Sequence, residues 1–117
     1  MTVPGNENLT TLLGWLEEGQ REIWVLQSVG AARAFFLAGL LVEVRRPSLV
    51  LLPTAKEAAR FYRELEFFLP VQSARGEPDE RRLFDFPVYD LSPLSGLSPH
   101  KDVVSRRIQA LYALMSR

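Results

Sequence analysis

The chain has 117 residues, enough for about one domain, and its 47% hydrophobic and 24% charged residues are an ordinary globular mix. Fourteen basic residues balance fourteen acidic ones, so net charge gives no reason to expect a polyanionic partner, though it leaves room for a local basic patch. The absence of cysteine excludes disulfides, thiolate metal sites and a cysteine nucleophile, and the single histidine, His100, excludes a multi-histidine metal site.

Met1 to Asn8 is polar, with no basic and then apolar leader pattern. The longest apolar stretch, Ala34 to Val42, falls well short of the ~20 residues that span a bilayer. The expected address is the cytoplasm. Leu9, Leu12, Leu13 and Leu16 recur at helical spacing, with Gly19 as a stop. Residues 1–20 are therefore expected as an N-terminal helical segment, and 21–117 as a partial α/β domain of a longer protein.

Ile23-Trp24-Val25-Leu26 is a short apolar run rich in β-formers and reads as a buried strand. Gly30 opens a helix over about 31–44, which carries only Arg33 and Glu43 as charges and should be covered on most sides. Ser48 to Leu52, bracketed by Pro47 and Pro53, reads as a second buried strand. Thr54-Ala55-Lys56-Glu57 fits a capping box. The helix that follows places Ala58, Phe61, Tyr62, Leu65, Phe68 and Leu69 on one face, with Pro70 as its expected end.

Residues 71–82 form a polar loop, and Leu83 to Phe86 a third short strand, stopped or bent by Pro87. A Ser/Pro/Gly loop over 91–97 leads to Ser98 as expected N-cap, with Pro99 at the first helical position. The last helix shows Val104, Ile108, Leu111 and Met115 on one face, with Tyr112 expected to pack beside them. The alternation of strands and helices predicts an α/β fold. It would be a three-layer P-loop/Rossmann-like fragment, with a short, mainly parallel sheet of about three strands flanked by helices.

In such folds ligands bind beyond the carboxyl ends of the strands. The first strand-to-helix turn, residues 27–34, sits where a P-loop would sit. That loop needs glycines to wrap phosphates, a lysine for their outer oxygens and a hydroxyl for Mg²⁺. Here those four positions are Gln27, Ala32, Arg33 and Ala34, and only the internal Gly30 remains. The loop reads as degenerate. Weak anion binding at the helix start stays open, whereas nucleotide hydrolysis does not follow. No catalytic residue, metal ligand or cofactor is expected.

His100 reads either as a general base or interdomain contact, or as a local polar residue at a helix start. Asp85, Asp90 and Asp102 raise a carboxylate-metal reading, but Ala34 offers no second anchor. Asp102 is explained by the helix dipole. Lys101, Arg106, Arg107 and Arg117 make the last helix locally basic, which reads as a solvated face or as a phosphate-contacting one.

The segment Tyr89-Asp90, then Ser98-Pro99-His100-Lys101-Asp102-Val103-Val104-Ser105-Arg106-Arg107, then Leu111-Tyr112, resembles a stretch of the bacterial transcription-repair coupling factor. Thr54 to Ala58, Glu66 to Pro70 and Gly30 to Ala34 resemble it too. The likeness runs from about Leu9 to Arg117, and its most specific part is the Ser-Pro-His-x-Asp segment. It implies the N-terminal, excinuclease B-like module of that family, with a degenerate loop and no chemistry of its own. The family's motor, and its surfaces for the excinuclease A protein, RNA polymerase and DNA, belong to other regions. Expected partners are the neighbouring domains of the same protein, and apolar surface left bare in the fragment is expected to dimerise. The alternative is a residual nucleotide- or DNA-binding, P-loop helicase-like fragment.

Overall fold

The computed structural model describes residues 7–25, 29–72, 83–89, 93–98 and 100–116. Within them lie four α-helices and a 3₁₀ turn at Pro93–Ser95, and no β-strand. The helices are α1 (Glu7–Glu17), α2 (Ala31–Val44), α3 (Ala55–Gln72) and α4 (Lys101–Met115). None is long and apolar enough to cross a membrane.

The absence of strands overturns the expected α/β architecture. The described residues of the three apolar runs, 23–25, 48–52 and 83–86, carry no strand pairing. A strand needs a neighbouring backbone to complete its ladder, whereas a short apolar run signals only a demand for burial. That demand is not met here: Trp24 is 62% exposed and Leu51 83%. Prolines at 47, 53 and 87 bring no N–H to a ladder. Carbonyls of the third run and of the proline that follows it are engaged by side chains instead, Leu83 O by the Tyr62 hydroxyl at 3.4 Å and Pro87 O by Arg107.

The chain divides into two compact units, the first comprising Met1–Arg46 with Arg63–Pro78. Within it α1 ends in a Schellman turn. Gly19 adopts φ 86, its N–H donates to Leu16 O at 3.2 Å, and Gln20 N–H donates to Trp15 O at 3.0 Å. The helix α2 starts after Gly30 and stops at Arg45, which takes the left-handed conformation. Its buried stripe is Ala34, Ala38 and Gly39, small enough for α1 to pack closely against it. Leu12 on α1 and Leu65 and Leu69 on α3 complete the buried apolar set of this unit. Phe35 and Phe68 meet edge to face at 5.4 Å. So α2 is covered along one stripe by helix, not sandwiched against a sheet, and Phe35 stays 44% exposed.

The second unit comprises Pro47–Tyr62 with Asp79–Arg117. Its α3 segment begins with the expected box. Glu57 N–H donates to Thr54 Oγ1 at 3.2 Å, and the Thr54 hydroxyl donates to Glu57 Oε2 at 3.0 Å. Of the expected face of α3, Phe61, Leu65 and Leu69 are buried, Tyr62 and Phe68 half-buried and Ala58 exposed. Pro70 does not end the helix, which continues to Gln72. With no N–H at Pro70, the helix runs on past it without the bond to the Glu66 carbonyl.

Candidate functional site

Two regions drew functional readings from the sequence: the turn before α2 and the basic start of α4. At the first, Gln27 lies outside the described residues. Gly30 precedes α2 with φ 62 and ψ −145 and makes no side-chain cap. Arg33 N–H donates to Gly30 O at 3.3 Å. Ala32 and Arg33 are exposed, while Ala34, at the position where a P-loop has its hydroxyl, is fully buried. The loop was expected to follow a strand, and the described residues before it, 22–25, form none. The strand–turn–helix frame of a degenerate P-loop is therefore not present among the described residues.

At the second region the start of α4 differs from expectation. The N-cap is His100, not Ser98. Its Nδ1 accepts a hydrogen bond from Asp102 N–H at 3.2 Å, the bond a Ser or Asp cap would make. Pro99 lies outside the described residues. Asp102 sits in the first turn, where a negative charge suits the helix dipole.

The arginines of α4 are engaged rather than solvated. Arg106 Nη1 donates to Asp85 Oδ2 at 2.7 Å. Its Nε lies 3.2 Å from Asp102 Oδ2, close enough for charge attraction. That nitrogen is nevertheless buried and its N–H is not angled to make a hydrogen bond. Thus Asp85 and Asp102, read as candidate metal carboxylates, converge on a guanidinium; Asp90 lies outside the described residues. Arg107 donates through Nη1 to Pro87 O at 2.6 Å, and its guanidinium stands 4.0 Å from the Phe86 ring centroid and 4.2 Å from that of Tyr89. The planar, delocalised cation suits this double stacking, which a lysine would not reproduce.

These contacts turn α4 inside out. Val103, Arg106, Arg107, Ala110 and Ala113 are half-buried, as is Val104 at the N-terminal end of the apolar stripe. The apolar stripe expected to face a core points outward: Ile108 is 60% exposed, Tyr112 73% and Met115 82%. Tyr112 does not pack in a core, and no residue of α4 is fully buried. Lys101, exposed beside the stripe, is the basic residue of the cluster with no described partner; Arg117 lies outside the described residues. The Arg107 stack was missed in the sequence, although its signal was there. Two adjacent arginines interrupt an apolar helix, and two aromatic residues flank Pro87.

A stretch of 62 residues is 32% identical to UvrABC system protein B of Pasteurella multocida (strain Pm70), covering 53% of this chain and 9% of that protein. The chain thus carries an excinuclease B-like region and spans about 9% of the length of the relative it matches. The match does not single out the transcription-repair coupling factor. No family model and no solved structure matches the chain.

Proposed function

We propose that this chain is a non-catalytic interaction module of nucleotide excision repair, of the kind the transcription-repair coupling factor carries at its N-terminus. The observation that carries the repair reading is the 62-residue similarity to UvrABC system protein B. The narrower reading rests on the Ser98-to-Tyr112 motif, several of whose residues have defined work in the structure. His100 caps α4, Asp102 pairs with Arg106, and Arg107 locks the helix onto Phe86, Pro87 and Tyr89. A motif whose polar residues are engaged within the chain supports a scaffold more than a catalyst. Its partners would be neighbouring domains of a longer repair protein. Contacts with the excinuclease A protein, RNA polymerase and DNA would be made mainly by those other regions.

The test is calorimetric titration of the chain with a transcription-repair coupling factor lacking its own N-terminal module. Saturable binding is expected, with no heat from Mg²⁺–ATP. A second reading, residual nucleotide binding, draws on the exposed Arg33 in the first turn of α2. Saturable Mg²⁺–ATP binding that Arg33→Ala abolishes, with no binding to the truncated factor, would replace the first reading with the second.

A further inference from the structure

The inverted docking of α4 leaves an apolar seam on the outside of the second unit. Val104, Ile108, Leu111 and Met115 are spaced four, three and four residues apart, the repeat by which one helix packs along another. Tyr112 widens the seam, and Ser105 borders it. The cations that could have interrupted it, Arg106 and Arg107, are turned toward Asp85 and the aromatic pair. Of the charged residues of α4, Lys101 alone falls on the seam, at its N-terminal end.

We infer that the seam is a homodimer interface, on which a second copy of this chain lays its own α4 antiparallel. Two observations select that occupant. The first is size. Ile108, Leu111, Tyr112 and Met115 are 60, 48, 73 and 82% exposed. At on the order of 200 Å² for a large apolar side chain, they present roughly 500 Å² per helix. Two such faces bury about 1,000 Å², the size at which a specific interface begins.

The second is charge. Lys101 occupies the first turn of α4, where its own helix dipole disfavours a cation, and the last turn of α4 contains no basic residue. In an antiparallel pair each lysine reaches the last turn of the other helix, where the dipole favours a cation. The same register places Lys101 opposite Met115 and Val104 opposite Tyr112. Ile108 then meets its own copy on the two-fold axis, the self-complementary contact that a symmetric dimer requires. The contact is weak and concentration-dependent, because the area only just suffices. This inference stands independently of the repair reading.

The experiment is sedimentation equilibrium of the intact chain over a wide concentration range, with single-cysteine variants of this cysteine-free sequence. A reversible dimer is expected. Under mild oxidation Ile108→Cys should cross-link and Met115→Cys should not. Leu111→Glu should weaken the dimer at least about tenfold, as charge in the centre of an interface does. It should leave the far-ultraviolet circular dichroism unchanged, because α4 has no buried residue. Lys101→Glu gives a check that loss of folding cannot mimic. It suits its own helix dipole, yet should weaken the dimer by about threefold or more. A monomer at every concentration, a dimer indifferent to Leu111→Glu, or preferential cross-linking through Met115→Cys would each overturn the inference.

Discussion

Arg106 Nη1 stands 2.7 Å from Asp85 Oδ2, tying α4 to a segment that has no secondary structure of its own. The bond is charge-assisted, but the two side chains are 40 and 39% exposed, so solvent screens much of it. Asp85→Asn should therefore cost no more than about 1 kcal/mol, read as a shift in the urea midpoint without a change in slope. In a double-mutant cycle with Arg106→Ala, the two effects should fall short of additive. Full additivity would show that the pair is not coupled in solution.

Arg107 should matter more than its charge suggests. Arg107→Lys keeps the cation but loses the planar stack on Phe86 and Tyr89. Most of the destabilisation caused by Arg107→Ala, about 1–2 kcal/mol for a stacked and hydrogen-bonded guanidinium, should appear in the lysine variant too. The measurement is paired urea melts of both variants. A lysine variant as stable as the parent would mean that charge alone holds the contact.

The cap at His100 makes a distinct forecast. Asparagine can accept from Asp102 N–H as the imidazole does and is a better-adapted cap, whereas alanine cannot accept at all. His100→Ala should cost about 1 kcal/mol and His100→Asn nothing or a small gain. Amide hydrogen exchange in the first turn of α4 would report it residue by residue, with faster exchange at Asp102 in the alanine variant only.

In the first unit, Leu65 is 3% exposed and lies on the buried face of α3. Leu65→Ala should destabilise by about 2–5 kcal/mol, the range for emptying a core leucine site. Phe67→Ala on the same helix, at a side chain 67% exposed, should cost far less. Thermal melts of the two variants compare them directly, and equal losses would show that the buried face has been misassigned.

Helices were legible in the sequence because their signals are local. The start of α2 after Gly30, the Thr54–Glu57 box and the Gly19 stop are each set by neighbours within one turn. That the apolar runs carry no strand pairing among the described residues was not legible, since a strand depends on a partner backbone that a run such as Ser48–Leu52 does not specify. The docking of α4 was inverted for a related reason. The Val104–Met115 stripe identifies an apolar face but not what covers it. Asp85, Phe86 and Tyr89 instead draw the arginine face inward, across about twenty residues of chain that no local period encodes. At the turn before α2, the residue substitutions could be read from the sequence but the frame around them could not.

Gly30 has one more consequence. Its backbone angles, φ 62 and ψ −145, are close to the mirror image of the extended polyproline II conformation. An added Cβ there would meet nothing within 4 Å. Room is therefore not what restricts the position; handedness is. L-alanine would be strained there by its backbone angles alone, angles that are the ordinary extended ones for a D-residue. The start of α2 depends on an achiral residue, and the backbone preference it satisfies is that of the enantiomer ribosomes cannot insert.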